Sequence, residues 1–225
     1  MNIYFDFDGT IADTGPALVE AVRLSFLEQD LPAPTAEQII PLSGFPLQEI
    51  LGMLLGHAPD SQEIFEFREL VEKFYAEMAL GEICLFPKMR ELLHELSPKA
   101  NLMGILTNKP TKCVLNETKH LEIQPYFHVI LGADVAGAAK PATDILDMAH
   151  IMLELPEDIR EESAQNSLMI GDSTADMGLA KATGMTAIGV TWGAQSASVL
   201  KEGGADHIAQ TTSELREILL ALLKK

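Results

Sequence analysis

Two aspartates, Asp6 and Asp8, close a short apolar run that starts at Asn2, and Gly9 and Thr10 follow at once. Residues i and i+2 of a strand point to the same side, so the two carboxylates converge at its carboxyl end. Open α/β sheets bind ligands at that end, where the strand order reverses. Gly9 permits a tight turn and lets backbone N–H groups approach a bound anion. Taken alone, the segment could also be an acidic strand-to-helix loop, with Asp13 or Thr14 as the helix cap.

Three further segments carry polar groups just after an apolar run or in the loop that follows. They are Thr107-Asn108-Lys109-Pro110, Lys140-Pro141, and Gly171-Asp172-Ser173-Thr174-Ala175-Asp176. With the first segment they supply two carboxylate pairs, a hydroxyl, an amide and an ammonium. Hard carboxylate oxygens without histidine or thiolate partners suit Mg2+. Asp172 and Asp176 are four apart and share a face if a helix begins there, the first as its cap and the second behind it. Lys109 beside Pro110 reads as a solvated lysine, and Thr10 as a turn residue. Asp144 either orients Lys140 or caps a helix beginning near Thr143.

The elements that must position these residues are legible as alternating patterns. Strands are expected at residues 2–7, 102–107, 129–131, 167–170, 186–191 and 207–209; most are aliphatic runs of the kind buried on both faces. Helical stripes lie between them, among them Met89, Leu92, Leu93 and Leu96, and Gly184 stands where a helix would end. The pattern is an α/β fold with a doubly wound parallel sheet. Residues 15–83 break it with helical segments alone. Gly15-Pro16 opens the first, Thr35 to Gln38 has capping-box spacing, and Asp60 with Glu63 gives a looser version. Ile64, Phe67, Val71, Phe74, Tyr75 and Met78 fall on one face as a bundle core. The organisation expected is a core of residues 1–14 and 84–225 with an inserted all-helical cap at 15–83. Residues 156–166 read as a solvated surface loop.

The four segments, in the order DFDGT, LTN, KP and GDSTAD, resemble the haloacid dehalogenase superfamily, in its phosphoglycolate phosphatase-like branch. The likeness runs from residue 6 to residue 176, and the strand–helix pattern extends it over most of the chain. It implies a phosphomonoester hydrolase with a Rossmann-like core. Asp6 would be the nucleophile, forming an aspartyl-phosphate. Asp8 would protonate the leaving oxygen and then deprotonate the hydrolytic water. Mg2+ would be held by the carboxylates of Asp6 and Asp172 and the backbone carbonyl of Asp8, with Asp176 behind the ligands. Thr107 and Asn108 would hydrogen-bond the phosphoryl oxygens, with Gly9 at the same anion, and Lys140 would balance charge between them. Ala175 and Ile11-Ala12 depart from the usual pattern at positions without a proposed role. The presence of Asp8 argues against carbon–halogen chemistry.

Charge narrows the partners. The chain of 225 residues has 16 Lys and Arg against 33 Asp and Glu, a net charge of −17. Such acidity disfavours nucleic acid and anionic membranes. No apolar run reaches the ~18 residues that span a bilayer. The two cysteines, Cys84 and Cys113, lack metal or redox spacing, and a cytoplasmic monomer or homodimer is expected. Residues 15–83 hold three basic and twelve acidic side chains, which argues against a bulky, multiply anionic leaving group. Arg23 is the candidate cap contact, against the plainer reading of a surface arginine. The loop from Leu42 to Gln48 is similar to the family's substrate-facing loop, with Gly44 allowing close approach.

The leading expectation is therefore Mg2+-dependent hydrolysis of a small phosphorylated metabolite, phosphoglycolate or similar. A sugar-phosphate mutase like β-phosphoglucomutase is the alternative on the same scaffold. A signalling receiver domain is shorter and lacks the insertion. A binding protein that lost its activity would not need the complete set of residues.

Overall fold

The computed structural model describes residues 1–224. Its strands are β1 (Asn2–Phe5), β2 (Ala12–Asp13), β3 (Cys84–Leu85), β4 (Leu102–Thr107), β5 (Val129–Gly132), β6 (Ser167–Gly171), β7 (Thr186–Val190) and β8 (His207–Ala209). Six of them form one parallel sheet in the order β5-β4-β1-β6-β7-β8. The chain builds outward from β1 in both directions, so the strand order reverses beside β1. The carboxyl ends of β1, β4 and β6 meet at that point.

Alternation along the strands fills both faces. Ile3 and Phe5 join Ile105, Leu168 and Ile170 on one side. There they meet Leu93 and Leu96 of the helix α5 (Met89–Leu96), with Val114 and Leu215. Tyr4, Leu106 and Met169 point the other way, toward Ile145, Ala149, Met177 and Leu179. Each large side chain buried in this way contributes roughly 1.5–3 kcal/mol. Aliphatic runs without polar alternation are what a doubly covered sheet requires.

Between β2 and β3 the chain is helical: α1 (Gly15–Glu28), α2 (Ala36–Ile39), α3 (Leu47–Leu55) and α4 (Gln62–Glu82). Pro16 lies in the first turn of α1, and Gln38 reaches back to the Thr35 N–H at 2.9 Å. The start of α4 is capped by Ser61, which accepts from the Ile64 N–H, rather than by Asp60. Ile64, Phe67 and Val71 pack on Ala21, Val22, Phe26, Ile39 and Leu51, giving the insertion its own apolar centre. Its two connections are stitched together, since β2 pairs antiparallel with β3. Two-residue strands carry no periodicity, and the sequence gives no sign of them.

The remaining helices are α6 (Thr111–His120), α7 (Ala133–Ala136), α8 (Asp144–Met152), α9 (Arg160–Gln165), α10 (Thr174–Thr183), α11 (Ala197–Glu202) and α12 (Thr212–Leu222). Gly184 ends α10 at φ +78°, as its position implies. The stretch 156–166 is not a plain loop: a short 3-10 turn leads into α9, which buries Ala164. The acidic residues expected there in solvent are exposed, Glu157 and Asp158 on the turn and Glu161 and Glu162 on the helix, so one small apolar residue anchors an otherwise polar segment.

Ile105 is fully buried on the strand between β1 and β5. Ile105→Ala is expected to lower stability by about 2–5 kcal/mol in urea denaturation, because the rigid strand cannot collapse around the void. A loss below about 1 kcal/mol would contradict this packing.

Candidate active site

Asp6 extends the pairing of β1, its N–H donating to the Ile170 carbonyl at 2.8 Å. This fixes the backbone where the side chain leaves the sheet. The Asp6 Oδ1 accepts from the Phe7 N–H at 2.7 Å and faces the Lys140 Nζ at 2.9 Å. Lys140 also donates to Asp176 Oδ1 at 2.6 Å and to the Leu106 carbonyl at 2.9 Å. Its ammonium thus uses all three donors on groups from three separate segments. The Lys140 backbone N–H donates to Asn108 Oδ1 at 2.8 Å, which holds the lysine loop against the end of β4.

Asp172 follows β6 and is fully enclosed. Its Oδ2 accepts from the Ala194 N–H at 2.6 Å, and its backbone carbonyl accepts from the Gln195 N–H at 3.2 Å. Asp176 lies in the first turn of α10, and its Oδ2 accepts from the Ser173 N–H at 3.1 Å and the Ser173 hydroxyl at 2.7 Å. Ser173, rather than Asp172, therefore starts the helix, which leaves Asp172 available to the site. Glycines permit this crowding. A Cβ at Gly171 would run into the Asp176 carboxylate, and one at Gly193 into Asp172 and the Gly9 carbonyl.

Burial dominates the electrostatics. It pushes the Asp6 carboxyl up to about 7; Lys140 pulls the other way, and Asp176 and Asp8 add to the rise. Asp172 is also raised, first by burial and then by the charges of Asp6 and Asp176. Burial works against the charged form of Lys140, yet Asp176 and Asp6 more than offset it and hold the ammonium protonated. Fully ionised, the three buried carboxylates would exceed the one ammonium by two negative charges, which adds to burial in holding protons on Asp6 and Asp172. Oxygens of Asp6, Asp172 and Asp176 lie within 4.8 Å of one another, the spacing of a divalent-ion site. Both oxygens of Asp176 are engaged at 2.6 and 2.7 Å by Lys140 and Ser173, whereas Asp172 Oδ1 has only a longer 3.4 Å bond from the Thr10 hydroxyl, so Asp6 and Asp172 fit a direct-ligand role better than Asp176 does. An all-oxygen donor set suits a hard divalent cation.

The other expected residues fall close by, in parts that differ from the simplest reading. Thr107 is buried at the end of β4, its hydroxyl oxygen accepting from the Lys109 N–H at 3.2 Å. Asn108 spends one side-chain N–H on the Gly44 carbonyl at 3.2 Å and retains a second. Gly44 lies so near Ser173 that a Cβ would strike it, so the loop 42–48 descends onto the site by its backbone. Gly9 has φ +70°, but its N–H donates to the Ala12 carbonyl at 2.9 Å. It therefore serves the turn and the close approach of Asp172 rather than offering that N–H to an anion. Asp8 Oδ1 accepts from the Thr14 hydroxyl at 2.5 Å and from Lys109 Nζ at 2.8 Å.

Lys109 is not the solvated lysine that Pro110 beside it suggests. Its ammonium is enclosed by Asp8, the Tyr75 hydroxyl at 2.7 Å and Glu117 Oε2 at 2.6 Å. Sequence reasoning also passes over the loop after β7. There Ala194 and Gln195 hold Asp172, and the Trp192 indole N–H donates to the Thr10 carbonyl at 3.1 Å. Gly193, three residues beyond the end of β7, is the available signal. Asp144 is not among the partners of Lys140, and it opens α8. Arg23 pairs with Glu20 at 2.9 Å on the surface of α1.

Comparison with known proteins agrees with this geometry. Residues 3–190 match the family model of haloacid dehalogenase-like hydrolases. The phosphoglycolate phosphatase of Escherichia coli K12 is 29% identical over 95% of this chain and 90% of its own length. A solved haloacid dehalogenase-like family hydrolase from Streptococcus pneumoniae is 28% identical and superposes with a TM-score of 0.81, covering 98% of this chain and 97% of that one. A β-phosphoglucomutase from Clostridium difficile shares the fold at 21% identity and a TM-score of 0.78, over 99% of this chain and 96% of its own. A match across most of the chain, together with the carboxylates gathered at the reversal of strand order, leads to one conclusion: the chain belongs to the haloacid dehalogenase-like hydrolase family, in its phosphatase branch.

Proposed function

We propose that the enzyme hydrolyses a small phosphomonoester of the phosphoglycolate type through an aspartyl-phosphate on Asp6, with Mg2+ bound by Asp6, Asp172 and the Asp8 backbone carbonyl. The observation that carries this reading is the buried constellation of Asp6, Lys140, Asp172 and Asp176 at the reversal of strand order. When bound, the cation supplies positive charge that lowers repulsion between carboxylate and phosphate and draws off the proton that burial favours on Asp6.

The rest of the chemistry falls to the chain. An Asp6 carboxylate oxygen attacks phosphorus in line while the bond to the leaving oxygen breaks. Asp8 gives its proton to that oxygen, so an alcohol departs and Asp6 carries the phosphoryl group. Water then attacks phosphorus, Asp8 takes its proton, and phosphate leaves with Asp6 restored. Lys140, Thr107 and Asn108 stabilise charge on the phosphoryl oxygens. Positioning and preorganised charge account for most catalysis of phosphoryl transfer.

Residues 15–83 act in this reading as a cap on a core of 1–14 and 84–225. Its three cations are engaged on their own helices: Arg23 with Glu20, Arg68 with Glu72, and Lys73 over the Phe74 ring. No cation of the cap reaches toward a second anionic group, which supports a small substrate with little charge beyond the phosphate. Exposed pairs of this kind contribute at most about 1 kcal/mol, and their value here is as a charge map.

A phosphate-release screen of 2-phosphoglycolate, sugar phosphates, nucleotides and an aryl phosphate, with and without Mg2+, tests the reading. Turnover is expected with Mg2+ on the small phosphates, and Asp6→Asn, which removes the nucleophile, is expected to lower it at least about 10⁴-fold with the fold intact. Full activity of that variant, or isomerised sugar phosphate in place of inorganic phosphate, would contradict it. Asp6 and Asp172 are raised carboxyls, protonated below their pKa, so the metal must displace protons there. Mg2+ affinity measured by calorimetry should weaken as pH falls from about 8 to about 6, with protons released on binding. A pH-independent affinity over that range would count against these ligands.

A further inference from the structure

The ammonium of Lys109 joins three parts of the molecule. Asp8 comes from the loop after β1, Tyr75 from the inserted helix α4, and Glu117 from α6. Glu117 is buried, and the ammonium also lies over the Tyr75 ring at 4.6 Å and the Phe7 ring at 5.5 Å from their centroids. Lys109 therefore has little freedom, because each of its three donors already has a partner. Asp8 is the one member of this group that belongs to the proposed chemistry. Its Oδ1 receives both Lys109 and the Thr14 hydroxyl, while among the described residues none bonds to Oδ2.

We propose that Lys109 is a positioning residue that, with Tyr75 from the cap, fixes the rotation of the Asp8 carboxyl so that Oδ2 carries the proton. The proposal rests on the reading of Asp8 as proton donor to the leaving group. With Oδ1 occupied by two donors, a proton placed there would meet an ammonium and a hydroxyl, whereas Oδ2 has no such donor among the described residues. The proton on Oδ2 passes to the leaving oxygen as the P–O bond breaks, and water returns one to the same atom in the second step. Tyr75 makes the arrangement depend on the inserted helix being in place over the core. The acid is thereby aimed only when the cap sits as it does here.

A structural role alone would lower turnover of every substrate alike. A role in aiming the acid depends on how much the leaving group needs a proton. The readout is kcat/KM, which reports steps through leaving-group departure, for 2-phosphoglycolate and for p-nitrophenyl phosphate. Lys109→Met is expected to lose about 10²-fold on the alkyl ester, while the aryl ester, whose phenolate departs unprotonated, retains most of its rate. Tyr75→Phe, which keeps the charges, should shift the same ratio in the same direction by a smaller factor. If Lys109→Met fails to fold, the paired change Lys109→Met with Glu117→Gln removes the buried cation and its carboxylate together and is read in its place. Equal losses on both esters, in the foldable lysine variant and in Tyr75→Phe, would overturn the proposal. Asp8→Asn separates the two levels: it should show the largest split between esters. Without a split there, the reading of Asp8 itself fails; with a split there and none at Lys109 and Tyr75, only the present inference fails.

Discussion

The buried ammonium of Lys140 is the interaction on which the site depends. It reaches Asp6 after β1, the Leu106 carbonyl within β4, and Asp176 on the helix after β6. Those three segments come from adjacent strands of the sheet, and each presents negative charge or a carbonyl dipole to the same small volume. Without a cation between them, the strand ends would carry uncompensated buried charge, and breaking such a pair typically costs about 3–5 kcal/mol. The same low-dielectric surroundings make the carboxylates hard to ionise, while the facing charges of Asp176 and Asp6 keep the ammonium protonated against the cost of its burial. One lysine is too little charge for three carboxylates, and this imbalance suits the site to a divalent cation.

Packing makes that electrostatic arrangement possible. Parallel strands buried on both faces give a rigid edge, and glycines at Gly171 and Gly193 let carboxylates sit against backbone where any side chain would intrude. The loop after β7 then closes over Asp172 with its amides. On the opposite side, the backbone of the loop around Gly44 reaches down to Asn108 and Ser173. Core and insertion therefore meet at this loop, at the Tyr75–Lys109 contact, and where Ala17, Ala79 and Ile83 join the apolar cluster of the core. The helical insertion contributes acidic surface and few cations, and the enclosed lysines Lys109 and Lys140 both belong to the core.

Much of this was legible in the amino-acid sequence, for physical reasons. Aliphatic runs announce strands buried on both faces, and the residues directly after them must lie at one sheet edge. Asp6, Thr107 and Asp172 could be placed together on those grounds, and Lys140 by the loop that follows a strand. Pairings that depend on tertiary contact could not be seen. Lys109 looks solvated because nothing local reveals that Tyr75 and Glu117 will enclose it. The Ala194 amide carries no side-chain signal at all. The strands β2 and β3 are too short for periodicity, and residues 156–166 are acidic enough to pass for a loop although Ala164 is buried. The capping role of Ser173 likewise emerges only when Asp176 turns back to it.

The most direct measurement is to quench the Mg2+-loaded enzyme in acid during turnover of 2-phosphoglycolate and map the phosphorylated peptide by mass spectrometry. A single added phosphoryl group on Asp6, absent in Asp6→Asn, is the predicted result. Turnover with no phosphorylated enzyme under rapid quench, or a phosphoryl group on another residue, would contradict a site organised by Lys140 around Asp6.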